Sequence, residues 1–494
     1  MHCRHTSRAT VSHIDDTTTI CRLAVCGLGN TSRLLLSPAS SKIITQKGRS
    51  TVLPQNSCLA SHKRRRGLVA VVTVFFLTLL AVPTPGFAAP AQQEGAEEGP
   101  APNSMRIQRQ ELEDADEGRQ HDDGDQPSGM APRKIIIDTD PGVDDAVAIV
   151  ALLSQRRYPV EVLGIATVAG NADALSGANN ALNVLSRLGR TDIPIAIGSH
   201  APLVRAPSST GKLLHGPDGL WFLGAQNPND LSGLVPDAVG GFYCARPSWE
   251  GATLIALGPL TNVARAVRQC PDTMRSLGGI VFLGGAKYGG NITPAAEYNV
   301  WQDPEAFAAV LEFAEPEQFG APPQLPLTVV PVDAFSQLTI TSKDLDKLAR
   351  KANPAMAFVL PALQQYVFVQ EQNGGAAGIP DAVAVAMALD PARYGQSQSA
   401  LIRVMLPDPS LDQQPGGLSL ARGVTVVGLT FAERIPMLAT DTELSAIAND
   451  AFTPGYDLQG ALFGILVRAP DNAQFVTDIN ESRVAKDLFK ALTR

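Results

Sequence analysis

Lys134-Ile135-Ile136-Ile137-Asp138-Thr139-Asp140-Pro141-Gly142-Val143-Asp144-Asp145 decides how the rest of the chain is read. Its three isoleucines make a short apolar run of the kind buried on both faces of a parallel sheet. Pro141-Gly142 turns the chain, and Ala146–Leu153 reads as a helix. Four carboxylates therefore crowd one strand-to-helix junction. The helix dipole favours acids at a helix start, which explains one Asp or two. It does not explain Asp138 and Asp140, which follow the strand. Carboxylates this close repel unless a cation neutralises them, and oxygen donors select a hard divalent ion.

Outward from this segment the same alternation recurs. Val160–Val168, Pro194–Gly198, Thr253–Leu257, Gly279–Leu283 and Leu327–Val332 read as strands, and Ala174–Leu188 and the other intervening segments as helices. That pattern predicts an α/β fold, a mainly parallel central sheet flanked by helices around a Rossmann-like core. Ligands on such sheets sit at the carboxyl ends of the strands. Polar residues follow several of those ends. Asn171 comes after the second strand, Asn262 after the fourth, and Asn291, Glu297 and Asn299 after the fifth. The last three form either a polar surface loop or a set of hydrogen-bonding groups for sugar hydroxyls. Asp381 precedes an apolar helix, where an N-cap is the simplest reading.

With 45% hydrophobic and 18% charged residues among 494, the chain is not wholly disordered. Residues 1–66 carry eleven Lys/Arg against two Asp/Glu, a net of +9; the whole chain is −8, so the remainder holds −17. An acidic body argues against nucleic acid as a partner and suits a divalent cation. Residues 1–66 are a basic, Ser/Thr-rich tail, a targeting or disordered segment. Residues 67–89 begin with the apolar run Gly67–Val82, preceded by Lys63-Arg64-Arg65-Arg66 and followed by small residues around Gly86-Phe87-Ala88. This is the pattern of a signal peptide or an uncleaved transmembrane anchor. It predicts a secreted or membrane-anchored protein, with a tether through 67–82 in the second case and an organelle lumen as the alternative. Residues 90–132 read as an acidic disordered linker, and 133–494 as the folded domain. Of six cysteines only Cys244 and Cys270 fall in that domain, with no CxxC or Cys/His cluster that would suggest zinc. They form one disulfide or remain two free buried thiols, the plainer of the two readings.

In order along the chain, DTDPGVDD after a hydrophobic strand, VAGN, LGPLTN, FLGGA with GGNITPAAEYN, and PDAVAVAMALDP resemble the inosine-uridine-preferring nucleoside hydrolases over roughly residues 133–490. The resemblance implies the nucleoside-hydrolase fold and hydrolysis of the N-glycosidic bond of ribonucleosides, giving ribose and free base at a site holding one Ca²⁺. It assigns Asp140, Asp145, Asp381 and the Leu257 carbonyl to the metal, and makes Asp140 the general base for an activated water. Asp144, Asn171 and Asn299 bind ribose hydroxyls, and Asn291 and Glu297 hold the 5′-hydroxyl end. Asp138 supports the metal site, and His215 lies near the base pocket. Ribonucleosides are the implied partner, and homo-oligomers are common in the family. The chemistry agrees, because cleavage passes through a cationic sugar that surrounding carboxylates stabilise. One position departs: Pro380 stands where the family carries a His that protonates the departing base. Two other readings fit parts of the pattern. One is a nucleoside- or ribose-binding protein without catalysis; the other is a Mg²⁺-dependent phosphatase of the haloacid-dehalogenase type, which also uses Asp-x-Asp after a strand.

Overall fold

A nine-stranded sheet forms the backbone of the domain in a computed structural model, which describes residues 131–245, 249–406, 421–451 and 453–494. The tail, the apolar run and nearly all of the linker lie outside the described residues, as do Cys3, Cys21, Cys26 and Cys58. Among the described residues no helix is long and apolar enough to cross a membrane.

The first six strands are β1 (Arg133–Thr139), β2 (Val160–Thr167), β3 (Ile195–Ile197), β4 (Thr253–Ala256), β5 (Gly279–Leu283) and β6 (Leu327–Val330), all paired in parallel. β7 (Thr339–Ile340) and β8 (Ala377–Gly378) make a separate two-stranded ribbon. β9 (Gly395–Val404), β10 (Thr425–Gly428) and β11 (Ala473–Ile479) complete the main sheet in the order β10-β9-β11-β6-β5-β4-β1-β2-β3. β11 is parallel to β6, whereas β9 runs antiparallel to both β11 and β10. These last three strands are not expected from the sequence. β9 opens with Gly-Gln-Ser-Gln-Ser, exposed and polar, so it lacks the apolar run that marks a doubly buried strand.

β1 is the pivot. Its neighbours β2 and β4 lead the chain in opposite directions across the sheet, so a crevice opens at its carboxyl end, the usual place for a ligand. Its isoleucines feed two cores, with Ile135 and Ile137 packed on one face and Ile136 on the other, all buried. Truncating any of them to Ala removes about 2–5 kcal/mol.

Helix α1 (Val143–Ser154) takes Asp144 and Asp145 into its first turn, as their place between the turn and the apolar run implies. The other helices that build the site are α2 (Ala174–Arg187), α3 (Lys212–His215), α4 (Thr261–Gln269), α5 (Tyr298–Gln302), α6 (Pro354–Gln372) and α7 (Pro380–Leu389). Cys244 and Cys270 are joined in a disulfide, which replaces the reading of two free buried thiols. Both are only partly buried, and their Cα atoms, 5.6 Å apart, are within bridging range.

Candidate active site

The acid turn is built from the strand outward. Asp138 is fully buried and its Oδ2 accepts from the Tyr243 hydroxyl at 2.7 Å and from Asn262 Nδ2 at 3.0 Å. Burial pushes its pKa up to about 7, against the pull of those two bonds. Asp140 follows the strand; its Oδ2 accepts from the Asn171 amide at 2.7 Å, while Oδ1 is buried without a partner. Burial first, and the charge of Asp145 second, raise its pKa well above the usual range. Only glycine fits beside it: a Cβ on Gly170 would stand 1.9 Å from Asp140 Oδ2, and one on Gly258 2.7 Å from Oδ1.

Asp145 is held from several sides. Its Oδ1 accepts from the Thr139 hydroxyl, and its Oδ2 from the Gly142 amide at 3.0 Å and Asn171 Nδ2 at 3.0 Å. It closes the first turn of α1 from inside, so part of the helix-start explanation applies to this residue. Asp381 is different. Ile379 is the cap of α7, Pro380 the first helical residue and Asp381 the second, buried and making no capping bond. The cap reading of Asp381 therefore does not describe it.

What Asp381 does instead is meet the acid turn. Carboxylate oxygens of Asp144, Asp145 and Asp381 all lie within 4.8 Å of one another. Like charges about 4 Å apart repel by about 4 kcal/mol per pair at the dielectric typical of proteins. Without a counter-ion the group responds by holding protons: Asp144 is pushed up to about 8 by burial and then by Asp145, and Asp381 well above its ordinary value. Asp140 Oδ1, Asp144 Oδ1 and Asp381 Oδ2 are buried without hydrogen-bond partners. An all-oxygen, buried, under-bonded set of this kind fits a hard divalent cation.

Asp144 and Asp381 border a cavity of about 560 Å³. Asp144, Asn171, His215, Leu257, Asn291, Glu297, Asn299 and Asp381 are among the residues that line it, whereas Asp138, Asp140 and Asp145 are not. Asn299 Nδ2 donates to the carbonyls of Leu257 at 2.7 Å and Leu283 at 3.0 Å, which fixes the amide and leaves its oxygen for a ligand. Glu297 caps α5, accepting from the amides of Asn299, Val300 and Gly285, and burial raises its pKa to about 7. Asn291 is exposed at the rim and its Oδ1 accepts from the Tyr298 amide at 2.9 Å.

His215 ends α3 and is buried. Its Nδ1 accepts from the Val143 amide at 3.2 Å, which assigns the ring proton to Nε2, and burial lowers its pKa to about 3. The ring stands 3.5 Å from Asp144 Oδ1 and its centroid is 5.3 Å from that of Tyr366. Tyr366, on α6, also approaches Asp144 Oδ2 at 3.5 Å. Neither Tyr366 nor Tyr298, which lines the cavity and whose hydroxyl donates to the Gly170 carbonyl at 3.0 Å, stands out in the sequence. The signal for Tyr366 was present in α6: Leu363, Tyr366, Val367 and Gln370 fall at i, i+3, i+4 and i+7, one helical face running from apolar to polar. Pro380 borders the cavity and carries no proton to give.

The sequence profile described as inosine-uridine preferring nucleoside hydrolase matches residues 135–486. The chain is 36% identical over 239 residues to probable uridine nucleosidase 2 of Arabidopsis thaliana, covering 47% of this chain and 70% of that protein. It is 32% identical over 274 residues to the pyrimidine-specific ribonucleoside hydrolase RihA of Shewanella woodyi, covering 54% and 82%. Among solved structures, a plant nucleoside hydrolase aligns with a TM-score of 0.56 and 26% identity over 74% of this chain and 99% of that one. An inosine-guanosine nucleoside hydrolase aligns with a TM-score of 0.54 and 26% identity over 73% and 99%.

Proposed function

Because the chain belongs to the inosine-uridine preferring nucleoside hydrolase family and hydrolyses ribonucleosides to ribose and free base, we propose that it does so around one Ca²⁺ held by Asp145, Asp381, Asp140 and the Leu257 carbonyl. The observation that carries this reading is the convergence of Asp144, Asp145 and Asp381 on one point at the edge of the cavity. Such an ion supplies charge neutralisation and Lewis-acid activation of water. Asp140 accepts the proton of the attacking water, a role supported by its unpartnered, buried Oδ1. Asp144 lies in the carboxylate trio and also faces the cavity, so it can contact both the ion and a ribose hydroxyl. Asn171 and Asn299 hold further ribose hydroxyls, and Asn291 and Glu297 the 5′ end. Asp138 supports the turn from below.

The leaving-group side is read from what faces it. His215 stays neutral and offers an Nε2 hydrogen, and the Tyr366 hydroxyl, raised well above its usual pKa by burial, keeps its proton at neutral pH. We assign Tyr366 as the donor to the departing base in place of the missing His at 380. A secreted, membrane-anchored or organelle-lumen location is supported by the disulfide, since such bonds persist in oxidising compartments. A tether through residues 67–82 and a homo-oligomer belong to the same proposal. The direct test is a panel of purine and pyrimidine ribonucleosides with chromatographic detection of released base, before and after chelation and with Ca²⁺ restored. Base release that survives full chelation would remove the ion from the reading.

A further inference from the structure

We propose that Tyr243 is a positioning residue for the reaction, acting through Asp138, and that the Cys244–Cys270 disulfide holds it in place. The inference rests on the carboxylate site described above. Tyr243 is fully buried and ends a π-helix, Ala238–Tyr243, whose widened turn is closed by the Cys244 amide donating to the Val239 carbonyl at 2.9 Å. Such turns are rare and concentrate at functional sites. Here the turn aims a phenol at the underside of the acid turn, where the hydroxyl donates to Asp138 Oδ2 at 2.7 Å.

The same carboxylate oxygen receives Asn262 Nδ2 at 3.0 Å. Asn262 also donates to the Thr167 carbonyl at the end of β2 and accepts from the Ser199 amide beyond β3. The Asp138 carbonyl accepts from the Leu257 amide at 2.8 Å, just after β4. Backbone at or just beyond the ends of four parallel strands is thus tied to the bonded pair Asp138 and Asn262, beside Thr139 and Asp140. Orientation of site carboxylates by hydrogen bonds of this kind is what a metal centre needs from its surroundings.

The disulfide closes this arrangement covalently. Cys244 is the next residue after Tyr243, and Cys270 follows the last residue of α4, the helix whose first turn carries Asn262. Both donors to Asp138 Oδ2 therefore belong to elements that one bond ties together. The Tyr243 ring is walled by Phe242, and its carbonyl accepts from Trp249 Nε1 at 2.9 Å, so removing only the hydroxyl leaves the packing in place.

The test uses the full chain as wild type, Y243F, the double substitution C244S/C270S, and all three changes combined. Ca²⁺ affinity is read by calorimetry, kcat and KM with uridine, and the melting temperature after chelation. In Y243F the Ca²⁺ Kd should rise and kcat fall, each about tenfold, with KM within twofold and the metal-free melting temperature lowered by only a few degrees, since Asn262 still donates to Asp138. C244S/C270S should shift both in the same direction. The combined variant should lose less than the product of the two effects, because they act on one bond. Wild-type Ca²⁺ affinity and kcat in Y243F overturn the proposal, as do fully multiplicative losses. A Y243F protein that melts below the assay temperature assigns the hydroxyl to the fold alone and also overturns it. If the wild type itself neither binds Ca²⁺ nor releases base, it is the reading of the site that fails.

Discussion

Asp145 and Asp381, the first from the opening turn of α1 and the second from the opening turn of α7, bring carboxylate oxygens within 4.8 Å of each other. Two helices far apart in the sequence thus point their N-termini at one place. Both helix dipoles favour the negative charge there, but neither neutralises it as a cation would.

Asp381→Asn keeps the shape of the side chain and removes one charge from the trio. In chelator-treated protein Asn supplies a neutral side chain without the cost of keeping a buried carboxyl protonated, so the melting temperature should rise by a few degrees. Ca²⁺ should then bind at least about tenfold more weakly and stabilise the variant far less than the wild type. Thermal melts with and without Ca²⁺ check both signs. Unchanged Ca²⁺ affinity would return Asp381 to a merely structural place in α7.

The pH dependence of stability follows from the same carboxylates. Asp138 and Glu297 are pushed up to about 7 and Asp144 to about 8, from ordinary values near 4. A carboxyl whose folded pKa lies above its unfolded one holds its proton more tightly in the folded state. Its contribution is complete below pH 4 and is lost as pH rises through 7 to 8. Metal-free protein should therefore lose stability steadily from about pH 5 to pH 8.5. Saturating Ca²⁺ should flatten or reverse that slope, because the ion binds the deprotonated ligands. Urea unfolding at several pH values, with chelator or with Ca²⁺, measures it.

Much of this is legible in the sequence. The triple-isoleucine strand, the acids behind it and the later apolar runs mark the parallel half of the sheet, since a strand buried on both faces has no polar positions to hide its pattern. The antiparallel edge is not legible, because β9 begins with exposed Gln and Ser and buries only the short run Ala400-Leu401-Ile402. The Asp381 contact could be anticipated only through the family resemblance; by local sequence the residue looks like a helix cap. Tyr243 and Asn262 meet Asp138 through a fold-level coincidence of a π-turn, a helix start and a disulfide. Asn262 at least followed a strand end, whereas Tyr243 follows none.

His215→Phe tests whether that ring is a titrating group or a fixed acceptor. Its Nδ1 accepts the Val143 amide, and phenylalanine leaves that buried donor unmet, a loss of about 1–3 kcal/mol in urea unfolding. Because burial holds the His215 pKa at about 3, the imidazole stays neutral across the working range. The acid limb of the rate profile between pH 5 and 7 should keep its midpoint in the variant, whatever happens to its height. A shift of that limb would identify His215 as a titrating participant.

Tyr366→Phe separates proton donation to the base from everything else the cavity does. The Tyr366 hydroxyl is the protonated group placed beside Asp144 and His215 on the cavity wall, and Pro380 has nothing to donate. Removing it should slow release of uracil or hypoxanthine by about 10²-fold, the low end of what a positioned acid contributes. p-Nitrophenyl riboside, whose leaving group departs without help, should be hydrolysed within about threefold of the wild-type rate, since the ribose and metal half of the site is untouched. Parallel losses on both kinds of substrate would place Tyr366 on the sugar side instead. Undiminished nucleoside hydrolysis would leave protonation to water or to His215 Nε2.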